Sequence, residues 1–309
     1  MDGTRACLRK VEQGSRDATP VLIASVARAL AVDVTTLTGQ PYDRGGRRPD
    51  RIHSLMPALR RALAYWETPP CLNTAPRTID GIARDAHEVA VLRNTDRNAQ
   101  AIALVPSLLL ETLAALHEST SSAVRAQLID VTVTLLYVAN SVTHKTGYDD
   151  LATMTADRIA LLAPKADEPI VAALSAYTRA GAMLRIGAYD AGLQLITDAT
   201  GTIGAHQPAG DDKQRMLGSL HPRSAVLAAR GGRADVVDDY ITEARRIAGE
   251  LGTESDGMWR SLVFGPANVT VHEVELVPPA ALIALEDVDE CADAHGIRQL
   301  SSGQPRPSR

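Results

Sequence analysis

Aromatic residues are scarce in this chain of 309 residues: they account for 3% of the sequence, with one phenylalanine and two tryptophans. Hydrophobic residues nevertheless make up 45%, so the core must be built from Leu, Ala, Val and Ile. A core of that kind favours close-packed helices over an aromatic-rich β-sandwich. The composition therefore predicts an all-α fold, and the length is sufficient for two domains.

Cysteine is rarer still, and lysine is rare among the basic residues. Three cysteines lie far apart without a CxxC pair, which indicates reduced thiols in a cytoplasm rather than a disulfide or zinc framework. Only 4 of the 32 basic residues are lysines, and we attribute this bias to codon use in a GC-rich bacterial genome. The cysteines are Cys7, Cys71 and Cys291.

Long hydrophobic runs and a signal peptide are missing as well. The most apolar window, residues 99–116, is interrupted by Pro106 and Glu111. A membrane helix needs about 20 consecutive apolar residues. The sequence therefore predicts a cytoplasmic protein that does not span a membrane.

The sequence motifs of catalysis and cofactor binding are absent. There is no Walker phosphate loop, no GxGxxG after a strand, no GxSxG and no HExxH. His87, His117 and His272 each precede a glutamate, but no second histidine follows one helical turn later to complete a metal site. The sequence thus predicts a protein that is not an enzyme and that binds neither a cofactor nor a metal.

What the chain does have is a positive N-terminal part. Residues 1–51 carry 9 basic and 6 acidic residues, a net charge of +3, whereas the remainder carries 23 and 31, a net charge of −8. A positive segment can approach nucleic-acid phosphates, but an acidic one is repelled by them. Residues 41–51 are rich in Pro, Gly and Arg, which is typical of a linker whose arginines either stay solvated or contact phosphates.

The most informative pattern precedes this linker. A helix end over residues 8–12 is followed by Gly14, which suits the left-handed turn after a helix. A Thr-Pro pair at residues 19–20 supplies an N-cap and a first helical position. Apolar residues then recur at steps of three and four over residues 22–32, which predicts a helix with one buried face. A short helix is expected over residues 34–37.

These residues closely resemble the Cro- and lambda-repressor-like helix-turn-helix regulators, the XRE family. The match covers the end of the third, recognition helix together with the fourth and fifth helices of that five-helix domain. The first two helices have no counterpart in the few residues before them. The resemblance therefore implies a partial, N-terminally truncated DNA-binding domain over residues 1–40. The matching recognition-helix positions are Leu8, Lys10, Val11, Glu12, Gly14 and Arg16.

The resemblance also implies which residues meet double-stranded operator DNA. Arg9, Lys10 and Arg16 are expected to pair with phosphates, which positions the domain on DNA without reading the bases. Residues 4–6 occupy the base-reading start of the helix and do not match the family. A solvated, locally ion-paired surface around Glu12 is the alternative interpretation.

After residue 52 the sequence becomes a series of helical patterns with an internal repeat, and apolar spacing of three to four residues predicts helices over residues 79–92, 99–117 and 123–145. Residues 144–151 are echoed by residues 184–191, 40 positions later, and more loosely by residues 229–235. Each unit is a helix ending at glycine, a tight turn and an acidic residue suited to the next helix N-terminus. This pattern predicts an array of helical hairpins.

Residues 52–275 resemble the tetratricopeptide-like sensor domains that follow the DNA-binding domain in many XRE regulators. The resemblance implies a concave face, lined by the first helix of each hairpin, that receives a peptide or small effector. Asn140 and Asn268 are the candidate effector contacts, because a carboxamide can both donate to and accept from a peptide backbone. The alternative is that each asparagine bonds within its own repeat. Residues 276–309 are expected to form a degenerate helix and a tail.

Two functional hypotheses follow from the sequence. The first is a homodimeric transcriptional regulator in which an effector shifts the arrangement of two DNA-binding segments on an operator. The second is a protein-interaction scaffold that has lost DNA binding and acts only through its helical array.

Overall fold

The computed structural model describes residues 51–68, 72, 75–166, 169–205, 210–252, 257–260 and 262–276, together with scattered positions between residues 9 and 30. The chain divides into two compact units. One unit is Thr38–Glu273, and the other comprises Met1–Leu37 with Val274–Arg309. The described residues form ten α-helices and a single two-stranded sheet, which confirms the predicted all-α class.

The elements follow one another in a simple order. The helices are α1 Met56–Ala64, α2 Ile79–Asn94, α3 Asn98–Glu118, α4 Ser122–Lys145, α5 Asp149–Leu162, α6 Pro169–Ile186, α7 Tyr189–Ala205, α8 Asp211–Arg230 and α9 Val237–Glu250. Strands β1 Gly257–Trp259 and β2 Leu262–Phe264 come next, and α10 Pro266–Leu276 is last. The predicted helices over residues 79–92, 99–117 and 123–145 agree with α2, α3 and α4 to within about two residues.

Eight of these helices form four hairpins. The pairs α2 and α3, α4 and α5, α6 and α7, and α8 and α9 each pack against each other. The second helix of each hairpin also packs against the first helix of the next, and the first helices α2 and α4, and α6 and α8, are neighbours. Helix α1 packs against α3 at the start of this array.

Each hairpin turns on one residue in the left-handed conformation. After that residue, the next N–H donates to the carbonyl five positions back, at 2.8 to 2.9 Å, which closes the end of the first helix. The repeat identified three of these residues as glycines. The fourth is an aspartate and was missed, because the pattern rested on glycine. The four residues are Asp96, Gly147, Gly187 and Gly232.

The core consists of small aliphatic side chains, as the composition predicted. Leu59 and Leu63 of α1, Ile82 of α2 and Leu135 of α4 are completely buried. Buried threonines are tolerated among them because each hydroxyl donates to a carbonyl three or four residues earlier in its own helix. Thr112, Thr132, Thr143, Thr155 and Thr178 all bond in this way.

Helices α3 and α4 are long and apolar enough to cross a membrane by length and composition alone. This differs from the expectation based on Pro106 and Glu111, because α3 continues through Pro106 as one helix of 21 residues. In the most apolar windows of α3 and α4, 50% and 61% of the residues are buried within the protein. The finding is weak evidence for a membrane span, since the core helix of a soluble protein passes the same test.

Replacing Gly232 with alanine should lower the free energy of unfolding by about 1–2 kcal/mol, the cost of a left-handed backbone for a residue with a Cβ. Among the described residues, no heavy atom lies within 4 Å of a Cβ added at this position, so backbone strain is the cause. Gly201→Ala, inside α7 and in equally open surroundings, should instead raise stability by about 0.5–1 kcal/mol. Urea unfolding followed by circular dichroism measures both. A Gly232→Ala variant as stable as the parent would contradict the turn geometry.

Candidate ligand-binding groove

The β-hairpin of residues 257–264 is the element that the sequence analysis missed, since the helical pattern was extended through it. Gly257 pairs with Phe264 and Trp259 pairs with Leu262, which leaves a two-residue connection. Arg260 is the first residue of that connection and has a φ of 45°. One feature of the sequence could have indicated this hairpin. In a chain that is poor in aromatic residues, residues 257–264 contain the one phenylalanine and one of the two tryptophans.

Two contacts hold the hairpin across the array. Phe264 is fully buried against α8, where a Cβ on Gly218 would overlap its ring. On the other strand, the side-chain nitrogen of Asn94 in α2 donates to the sulfur of Met258, which pairs with Val263. The hairpin therefore connects the first helix of the first hairpin with the first helix of the last.

From the connection between the two strands, Arg260 enters the space beside α4. Its guanidinium forms an ion pair with Asp130, and its side chain is only 12% exposed. The guanidinium carbon also lies 4.4 Å from the centroid of the Trp259 ring, which is the geometry of a cation–π contact. Burial lowers the pKa of Arg260 to about 10, so the group is still cationic at neutral pH. Pairing with a carboxylate is what makes burial of this charge tolerable.

The space around Arg260 is a groove, which we define by two cavities that share Ala83, Asp130, Val131 and Arg260. The larger, of about 340 Å³, extends towards the N-terminal ends of α2 and α4 and includes Asp80. The smaller, of about 220 Å³, extends the other way along α2. The groove therefore combines apolar walls with two carboxylates, one arginine and the polar side chains of Gln127, His87 and Thr134.

Arginine and tyrosine side chains also link neighbouring first helices. Arg93 of α2 donates to the hydroxyl of Ser141 in α4 at 2.7 and 2.9 Å. Arg223 of α8 donates to the hydroxyl of Tyr177 in α6 at 2.8 Å and lies 4.5 Å from the centroid of that ring. Burial raises the pKa of Tyr137, which lies beside Arg93. The Arg93–Ser141 contact fixes α2 relative to α4, the two helices that form the groove walls.

The two asparagines predicted to contact an effector lie elsewhere. The side-chain nitrogen of Asn140 donates to the carbonyl of Ala152 at 2.7 Å and approaches the hydroxyl of Thr155 at 3.2 Å, both in α5. This is the bonding within a repeat that was the alternative interpretation. Asn268 lies partly buried in α10, and its backbone carbonyl oxygen is 2.9 Å from a ring nitrogen of His272. Neither asparagine lines the groove, and their effector role stays a prediction.

The predicted DNA contacts are described only in part. Arg9 is helical and exposed, which is compatible with a phosphate contact. Lys10 and Arg16 lie outside the described residues, as does most of the predicted domain over residues 1–40. Within the described ranges, no group of three or more His, Cys, Asp or Glu side chains is arranged to hold a metal ion.

Comparisons with protein families, with curated proteins and with solved structures find no match to this chain.

Substituting Gly218 with alanine should displace the β-hairpin, because the new methyl group would occupy the position of the Phe264 ring. We expect a loss of about 1–3 kcal/mol in unfolding free energy, the usual cost of overpacking a core. In a Trp66→Phe background, Trp259 is the one remaining tryptophan, and its emission should shift to the red as it leaves its buried site. Gly201→Ala is the control and should leave the emission unchanged. Unchanged Trp259 emission in Gly218→Ala would refute this docking contact.

Proposed function

We propose that this chain is an effector-responsive transcriptional regulator of the XRE type, and that its effector binds in the groove between α2 and α4. The observation that carries the proposal is the groove itself, in which Asp130 and Arg260 meet between apolar walls. Ligand sites in proteins are typically concave, largely apolar and supplied with a few oriented polar groups. The larger cavity, of about 340 Å³, is at the lower end of the size range of such sites.

The groove is also placed where a ligand can act on the array. Its walls belong to two successive first helices, α2 and α4, with Val171 of α6 at the margin. A ligand that contacts several of these helices binds one arrangement of them better than another, and this differential affinity is what shifts a conformational equilibrium. In the proposed regulator, the shift changes how two copies of the chain present their N-terminal segments to an operator.

DNA binding by the N-terminal segment rests on its resemblance to the XRE family and on its net charge of +3. A bacterial cytoplasm is the compartment that this proposal requires. The second candidate function, an interaction scaffold without DNA binding, is favoured by the net charge of −8 on residues 52–309, which opposes contact of the array with DNA.

A salt series of gel-shift measurements distinguishes the two candidates. The full chain should bind a 40-base-pair duplex at low salt, and the logarithm of its affinity should fall linearly with the logarithm of salt concentration. Arg9→Ala should reduce that slope by about one, the effect of one lost phosphate contact. Arg84→Ala is the matched control, since Arg84 is an exposed arginine of α2, and it should leave the slope unchanged. No binding at low salt would reject the regulator and favour the scaffold.

A further inference from the structure

Arg260 occupies the groove at a backbone conformation that favours glycine. Its φ of 45° lies in the left-handed region, which costs a residue with a Cβ about 1–2 kcal/mol. A residue keeps such a conformation only where contacts with its surroundings offset the strain. The groove does so through the ion pair with Asp130 and through the contact of the guanidinium with Trp259.

Arg260 fills only part of the groove. Open space remains on both sides of it, in the cavities of about 340 and 220 Å³. Among the described residues that line them, the acidic side chains are Asp80 and Asp130, and Arg260 is the one arginine or lysine. Without Arg260, the groove keeps two carboxylates and one histidine, the exposed His87, and Ala83 and Val131 provide apolar walls for an alkyl chain. This is the complement of a long cationic side chain.

We infer that Asp130 recognises an arginine or lysine side chain of a peptide effector, and that Arg260 is an internal ligand which the peptide displaces. This inference rests on the proposed function only in taking the groove as the effector site. It assigns the chemical class of the effector, a cationic peptide, and it gives the β-hairpin the role of a competitor.

The energetics favour such an exchange because one arginine side chain replaces another beside Asp130. Removing Arg260 without a substitute would leave two carboxylates without their cation: Asp130, whose side chain is 43% exposed, and Asp80, which is exposed. A peptide arginine that enters as Arg260 leaves restores the same charge pair. The peptide has an advantage over the internal residue, since it can also occupy the open cavities and approach Asp80. It does not require a left-handed residue at the contact.

The hairpin can release Arg260 without losing its anchor. Its strands have three residues each, and so short a hairpin is only marginally stable without packing. The packing that fixes it includes the contact of Phe264 with Gly218 on α8, at the opposite end of β2 from Arg260, and the contact of Met258 with Asn94 on α2. Movement of the connection therefore does not require Phe264 to leave the core.

Binding of a defined probe tests the inference. The probe is the peptide acetyl-Ala-Ala-Arg-Ala-Ala-amide, titrated into the full chain by isothermal calorimetry. Its matched control carries citrulline, which has the shape of arginine without the charge. The key variant is Arg260→Gly, which removes the competitor and relieves the left-handed strain, so that the turn itself is retained. Arg260→Asn is a second variant, because asparagine also tolerates this conformation.

We expect Arg260→Gly and Arg260→Asn to bind the arginine peptide about tenfold more tightly than the parent, because the binding-competent fraction of the groove rises. The citrulline peptide should not bind. Adding Asp130→Asn to Arg260→Gly should weaken binding by about three- to fivefold, the effect of losing a charge partner that is 43% exposed. In the chain with Trp66→Phe and an intact Arg260, the arginine peptide should shift the emission of Trp259.

Arg158→Ala is the matched protein control. Arg158 is an arginine that lies over the other tryptophan, Trp66, with its guanidinium carbon 5.1 Å from the ring centroid, and it does not line the groove. Its removal should leave the affinity for the arginine peptide at the parent value.

Three results would overturn the inference: equal affinity of Arg260→Gly and the parent, equal binding of the citrulline peptide, or retention of binding after Asp130→Asn. Binding of free agmatine without binding of the arginine peptide would also overturn it, since the effector class would then be a small guanidine. These outcomes are independent of the gel shift. If the chain binds DNA but the peptide does not displace Arg260, only the inference of an internal ligand is rejected. If the peptide displaces Arg260 but the chain does not bind DNA, the inference is supported and the chain is a scaffold.

Discussion

The helical array depends on how each first helix ends. A helix leaves carbonyls at its C-terminus without partners, and a reversal of chain direction must satisfy some of them while bringing the next helix back onto the same core. In all four described hairpins one left-handed residue does this, and the N–H that follows it closes the helix end. With a core of Leu, Ala, Val and Ile, which offers little directional bonding, these turns set which helices face each other.

The groove is formed by helices of this array together with one element that is not helical, the β-hairpin. The first helices lie side by side in two pairs, α2 with α4 and α6 with α8. The β-hairpin contacts both pairs, because Gly218 gives the Phe264 ring a place in α8 where a larger residue would exclude it, and Met258 contacts Asn94 of α2. Once Phe264 is fixed, the connection between the strands is brought to α4, where Arg260 meets Asp130. An ion pair whose arginine is buried is thus positioned by an apolar contact on another helix.

Sequence reasoning recovered the features that depend on local interactions. The glycine turns at Gly147, Gly187 and Gly232 could be predicted because a left-handed position strongly favours glycine. The turn at Asp96 could not, since aspartate adopts the same conformation less often and leaves no repeated signal. The groove was out of reach for a different reason. Asp130 and Arg260 are 130 positions apart, and with a single sequence nothing links an aspartate in a helical pattern to an arginine in a turn.

Asn140 shows how a polar residue on an apolar helix face allows two interpretations, an effector contact or a bond within its own repeat. Its side-chain nitrogen donates to the next helix, at Ala152 and Thr155, which is how most polar groups in helical cores are satisfied. The effector role of this residue stays a prediction. Arg260 differs because its buried charge is satisfied by a long-range partner, in a strained backbone, beside space that it does not fill. That combination, rather than burial of a polar group alone, is what singles out the groove as a site of exchange.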